Sequence, residues 1–186
     1  MLILASNSPR RKELITDYIT SDFLVIPANI DETYDDSTSI EENVSRIAKE
    51  KGASIYKDHP LDIVVSADTI VVLDNKILGK PHNKEEAKNM LLKLSDKEHM
   101  VITAYHISKD KAVISRLVKS IVKFKPLSLD FINRYIATGS PLDKAGAYGV
   151  QDKLMKEEIE YYKGSLSNII GLPIEELKKD LEGLNI

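Results

Sequence analysis

Leu14, Ile15, Tyr18 and Ile19 recur at helical spacing, and a start signal precedes them. Ser8 can cap a helix, and Pro9 at its first position needs no amide donor. With the apolar run 2–5 in front, the N-terminus predicts strand, loop and a helix through Thr20. Residues 23–26 predict a second short strand, and 28–38 are polar and acidic, as in a loop. Ser39 and Glu42 form a capping-box pattern for a helix to about Tyr56, which Asp58-His59-Pro60 breaks. Residues 63–67 are continuously apolar, as in a strand buried on both faces. The run continues at 70–73 after Asp68-Thr69, and Asp74-Asn75 predicts a turn. Asn83 and Glu86 cap a helix through about Leu94. Residues 100–107 and 112–124 predict two long strands around a turn at 109–111. In the second, Val118, Val122 and Phe124 share one face while Lys119, Lys123 and Lys125 share the other. Ser128 caps a helix ending at Gly139, and 140–150 is a Gly- and Ala-rich loop. A strand at 159–162 follows, and Pro173 opens a C-terminal helix. Strands and helices mix throughout, without repeat or linker, so the predicted class is α/β (mixed α+β) with a mixed sheet in one domain, 1–186.

Composition narrows the function classes. The 186 residues carry 26 Lys plus Arg against 29 Asp plus Glu, a net charge of −3, which argues against a basic nucleic-acid binder. At 42% hydrophobic and 30% charged, the chain can bury a core and is not disordered as a whole. With no cysteine, disulfides, thiolate metal sites and a Cys nucleophile are excluded. No apolar run approaches the ~18 residues of a membrane helix. The N-terminal charges follow the apolar run instead of preceding it, unlike a signal peptide. A soluble, intracellular, cytoplasmic protein is expected.

Five stretches carry candidate chemistry. Ser6-Asn7-Ser8-Pro9-Arg10-Arg11 joins a strand to a helix N-terminus, which suits phosphate; the alternative is a capped helix with solvated arginines. Asp68, read as the end of a central strand, can hold a divalent metal or activate water; the alternative is an Asp satisfying backbone amides at a bulge. Lys80 lies between Gly79 and Pro81 and can neutralise a polyphosphate, or simply mark a turn. Asp31-Glu32 can hold Mg²⁺ or be solvated. Residues 144–151 allow close backbone approach to a ligand, and Gln151 can read a base edge. His59, His82, His99 and His106 show no metal spacing and read as surface or packing residues.

Taken together, these stretches resemble the Maf family of nucleoside triphosphate pyrophosphatases. The resemblance runs from Leu2-Ile3-Leu4-Ala5-Ser6-Asn7-Ser8-Pro9-Arg10-Arg11 to Asn168-Ile169-Ile170-Gly171-Leu172-Pro173. Between lie Asp31-Glu32, Ala67-Asp68-Thr69, Gly79-Lys80-Pro81, Pro126-Leu127-Ser128 and the stretch Asp143-Lys144-Ala145-Gly146-Ala147-Tyr148-Gly149-Val150-Gln151, in the family's order. The resemblance implies an elongated mixed sheet flanked by helices in two lobes with a central cleft, similar to inosine triphosphate pyrophosphatases. It implies conversion of a nucleoside triphosphate and water to monophosphate and pyrophosphate, with Mg²⁺ or Mn²⁺, and homodimers are common in such families.

By motif match, the resemblance makes Asp68 the general base and Glu32 a metal ligand, with Asp68 beside it. It makes Arg11, Lys51 and Lys80 holders of the triphosphate, with Ser6 and Ser8 lining the same site. Arg11, Thr69 and Gln151 match the branch acting on dTTP and UTP, including modified pyrimidine triphosphates as a house-cleaning role. The 7-methyl-GTP branch typically has Trp before a single motif Arg, Gln after the Asp, and no Tyr-Gly-[Ile/Val]-Gln stretch. The chain departs from the family pattern at Asp152, where Gly is usual, at Ala104 for Gly, and at Gly52 for Ala. Its polar segment 153–158 stands where an apolar strand is expected. Two other readings remain: a nucleotide-binding regulator of septum formation without turnover, and an inosine-triphosphate house-cleaning enzyme.

Overall fold

The computed structural model describes residues 1–110 and 112–184. Lys111, part of the expected 109–111 turn, lies outside the described residues. The strands are β1 (Leu2–Leu4), β2 (Phe23–Val25), β3 (Ile63–Leu73), β4 (Lys76–Leu78), β5 (Glu98–Lys109), β6 (Ala112–Phe124) and β7 (Ile159–Lys163). The helices are α1 (Pro9–Tyr18), α2 (Ile40–Tyr56), α3 (Lys84–Leu94), α4 (Leu129–Ala137), α5 (Lys153–Lys156), α6 (Leu166–Ile170) and α7 (Ile174–Gly183).

The strands form a mixed sheet of seven, in the order β2-β1-β3-β5-β6-β7 with β4 on β3. β1 is parallel to β2 and β3, with Leu2 beside both Phe23 and Ile63. β4 is antiparallel to β3, and β7 to β6, with an irregularity between Lys123 and Phe124. Side-chain caps start four helices. Ser8, Ser39, Asn83 and Ser128 each accept a backbone N–H three residues on, and Ser39 with Glu42 closes a full capping box.

The chain divides into two compact units. The first comprises the described residues of Met1–Thr69, Thr103–Val118 and Gly171–Ile186; the second comprises Ile70–Ile102 and Lys119–Ile170. In the first, Ile3, Ala5 and Val64 pack with Ile26, Ile55 and Tyr56. In the second, Leu91, Leu94, Phe124, Ile132, Tyr135 and Met155 belong to a larger apolar cluster, each almost inaccessible to solvent. No helix among the described residues is long and apolar enough to cross a membrane.

One expectation needs correction, and two short elements went unanticipated. β3 does not end before Asp68 but runs unbroken from Ile63 to Leu73, so the carboxylate is mid-strand. The charge is tolerated there because a buried cation faces it, as described below. Asp74-Asn75 does turn, with both residues at positive φ, but it is a two-residue hairpin loop leading to β4, which went unanticipated. The polar segment after Asp152 forms the short helix α5, which also went unanticipated, and the strand expected at 159–162 is present as β7.

Candidate active site

The first unit gathers seven of the nine site candidates. β3 carries Asp68 and α2 carries Lys51, and their exposures are only 6% and 7%. Lys51 Nζ donates to Asp68 Oδ1 at 2.9 Å and to Glu32 Oε2 at 2.7 Å. One buried ammonium therefore bridges two carboxylates, of which Glu32 is half exposed. Asp68 Oδ2 is buried without a hydrogen-bond partner among the described residues. An oxygen desolvated in this way is costly unless something else uses it. Asp31 takes no part: its carboxylate binds the Thr33 backbone N–H and hydroxyl, and those bonds hold its pKa below the ordinary value.

Arg11 is not a solvated arginine. It lies in the first turn of α1 at 9% exposure. Its Nε donates to the Gly171 carbonyl at 2.8 Å, Nη1 to Ser6 Oγ at 3.1 Å and Nη2 to Thr69 Oγ1 at 3.0 Å. Three of its N–H donors are committed, leaving two of the guanidinium's five. Burial lowers its pKa and the nearby Asp68 opposes that shift; a guanidinium stays charged in proteins. Ser6 Oγ also accepts the Ser8 N–H at 3.2 Å, and Ser8 Oγ caps α1. Thr69 Oγ1 donates to the Gly171 carbonyl at 3.2 Å and meets Thr103 Oγ1 at 2.9 Å.

Sequence reasoning gave no role to Gly171, Thr103 or Tyr34. Gly171 stood within a stretch carrying the family resemblance, which was a usable signal. Thr103 on β5 offered none. Tyr34, two residues after Glu32, is half buried near the Asp68 carboxylate; burial first, then the charges of Asp68 and Glu32 and a smaller hydrogen-bonding contribution from Asp68, push its phenol above the ordinary range.

Lys80 and Gln151 belong to the second unit. Both are exposed, and neither side chain has a hydrogen-bond or ionic partner among the described residues. Their loops are tied together: Gly146 N–H donates to the Gly79 carbonyl at 3.0 Å.

The departure at Gly52 has a steric cause. A Cβ there would lie 2.7 Å from Ser66 Oγ and 2.9 Å from His106 Cδ2. The histidines behave as packing or surface groups: His99 and His106 are buried, and His82 is exposed. Among the described residues no group of three or more His, Asp or Glu is placed to hold a metal ion.

The chain is 40% identical over its whole length to a dTTP/UTP pyrophosphatase of Bacillus velezensis, covering 97% of that protein. It is 42% identical to one of Pyrococcus abyssi over 94% of this chain and 91% of that protein. It is 45% identical to one of Fusobacterium nucleatum over 97% and 93%. A crystal structure of a nucleoside-triphosphatase / dITP/XTP pyrophosphatase from Mycobacterium abscessus shares 12% identity, with a TM-score of 0.40 over 68% of this chain and 75% of that one, a likeness too distant to argue from. The Maf-like protein family matches residues 1–184, and the chain belongs to it.

Proposed function

We propose that the protein hydrolyses dTTP and UTP between the α- and β-phosphates, releasing the monophosphate and pyrophosphate, with Mg²⁺ or Mn²⁺. The observation that carries this reading is the Asp68 carboxylate, whose Oδ1 is held by Lys51 and whose buried Oδ2 is unpartnered among the described residues. The names of the whole-chain relatives support the substrate class. In this reading Oδ2 takes a proton from the attacking water. The water oxygen bonds to the α-phosphorus, the bond to the bridging oxygen breaks, and its electron pair leaves with pyrophosphate.

The other residues follow from their free donors. Lys51 has three N–H donors and spends two on carboxylates, so one remains for a phosphate oxygen. Arg11 offers two, from a guanidinium that Ser6, Thr69 and Gly171 hold in place. Lys80 supplies an unpaired charge for the leaving pyrophosphate. Ser6 and Ser8 line the phosphate end, and Gln151 presents its amide to the base.

The donor set fits a hard cation. Glu32 and Asp68 would hold it through oxygen, and each carboxylate oxygen has two lone pairs, so Asp68 can serve water and cation together. Two protein acids without a third suit an ion that also takes water and phosphate oxygens. Its chemistry, when bound, is to neutralise charge on the triphosphate. A homodimer, which rests on the family resemblance, and a cytoplasmic location, which rests on the sequence reading, complete the proposal.

The test is a panel of nucleoside triphosphates with either metal, scoring pyrophosphate separately from phosphate. dTTP and UTP should exceed CTP and the purine triphosphates in kcat/KM, and chelator should stop turnover reversibly. Tight nucleotide binding without pyrophosphate release would overturn the enzyme reading in favour of a regulator.

A further inference from the structure

Gln151 sits in a turn that is pinned on both sides. On one side, Asp152 Oδ2 accepts hydrogen bonds from the Tyr135 hydroxyl at 2.5 Å and from Ser140 Oγ at 2.7 Å. On the other, the Gly149 N–H donates to the same Tyr135 hydroxyl at 3.0 Å. Asp152 N–H closes the turn onto the Gly149 carbonyl at 3.0 Å. Tyr135 is fully buried on α4, so the anchor is rigid. Its single O–H proton goes to Asp152 and its lone pair to Gly149, which fixes the direction of the relay.

Lys144 packs beneath. Its buried ammonium reaches the Ser140 carbonyl at 2.7 Å, Ser140 Oγ at 2.9 Å and Asp143 Oδ1 at 2.8 Å, and lies 3.9 Å from Asp152 Oδ2. Room for this exists because residue 149 has no side chain: a Cβ there would lie 2.7 Å from Lys144 Cε and 3.0 Å from Asp152 Cγ. All these groups are tied down, whereas the exposed Gln151 amide has no partner among the described residues.

We propose that Asp152, acting through Tyr135 and Ser140, is the positioning residue for Gln151, and thereby sets the preference for uracil and thymine over cytosine. The proposal rests on the reading of Gln151 as the base-contacting amide. A primary amide can pair with either kind of pyrimidine edge by turning over or shifting. Discrimination therefore requires that its approach be held, and the Asp152 relay is the device that holds it.

The experiment measures kcat and KM for UTP and CTP in Asp152→Ala, Tyr135→Phe, Asp152→Asn and Gln151→Ala, and in the double variant Gln151→Ala/Asp152→Ala. Asp152→Ala and Tyr135→Phe should each shrink the UTP-over-CTP ratio by about 5-fold or more, mainly through a higher KM for UTP, because a misaimed amide leaves a polar group unpaired. Asp152→Asn keeps an acceptor oxygen for Tyr135 and Ser140 and should largely restore the ratio. The double variant should match Gln151→Ala alone, since the relay acts only through that side chain. Two variants break the relay at different points, so failure of one to fold leaves the other to be read. A reduced ratio in Gln151→Ala with unchanged ratios in both relay variants overturns the proposal alone. An unchanged ratio in Gln151→Ala overturns the Gln151 reading, and the proposal with it.

Discussion

Lys51 Nζ lies 2.9 Å from Asp68 Oδ1, and both side chains are about nine-tenths buried. The two charges are 17 residues apart in sequence, on α2 and β3; the ammonium makes the buried carboxylate tolerable, and Lys51 has Glu32 as a second counter-charge. Removing the ammonium leaves the buried carboxylate without its ionic partner. Lys51→Met should therefore cost about 3–5 kcal/mol of stability, measured by urea unfolding. A loss under ~1 kcal/mol would mean that solvent reaches Asp68 freely.

Asp68→Asn should spare the fold and nearly abolish turnover. The amide oxygen still accepts from Lys51 but cannot take a proton from water. A loss on the order of 10²–10⁴-fold in kcat is expected for a general base. Retention of most activity would transfer the role to another group, Glu32 first.

Lys80→Ala should leave the melting temperature near that of the parent, because the ammonium is exposed and without an ionic partner among the described residues. Pyrophosphate release should fall on the order of 10²-fold, as for loss of one preorganised charge stabiliser. The reverse pattern, a large drop in melting temperature with normal specific activity, would make Lys80 a turn residue.

Gly52→Ala should destabilise the protein by about 1–3 kcal/mol, the usual cost of forcing a methyl group into a packed site. Ser66 and His106 are the atoms in the way, and Ser66 Oγ is itself bound to the Ala48 carbonyl at 2.6 Å and has little freedom to retreat. Thermal melts of the variant and of Gly52→Ala/Ser66→Ala, which clears the nearer obstacle, would show whether the clash is the cause.

His99 gives the fold an acid-side weakness. Burial lowers its pKa from the ordinary 6.5 to about 4, against a smaller opposing contribution from the Lys97 backbone. Above about pH 6.5 the ring is neutral folded or unfolded and contributes no pH dependence. Between about 6.5 and 4 the unfolded chain binds a proton that the folded chain refuses, so stability falls as pH falls. The loss from this group is about 3 kcal/mol, complete near pH 4. In His99→Gln that part of the slope between pH 6.5 and 4 should vanish in denaturant titrations; an identical slope would assign it to other groups.

Helix starts were legible because their signals are local. Ser8, Ser39, Asn83 and Ser128 each bind an amide three residues on, a distance any reader of the sequence can count. The continuity of β3 was not legible, because what permits Asp68 mid-strand is an ammonium on another element. Arg11 shows the same limit: its carbonyl partner, Gly171, is 160 residues away. The type of side chain was readable, but not which of its donors the fold would consume. β4 and α5 escaped because three and four residues are too few to display a period.

The hydrogen bond from Gly146 N–H to the Gly79 carbonyl joins the loop of Lys80 to the loop that leads to Gln151. In the proposed reading, where Lys80 brings charge and Gln151 meets the base, these two roles are two ends of one mechanical part. A substitution that shifts either loop should move both kinetic properties at once. Selection for a new nucleobase along this route would carry a toll in turnover, and variants recovered by such selection should show the two changes correlated.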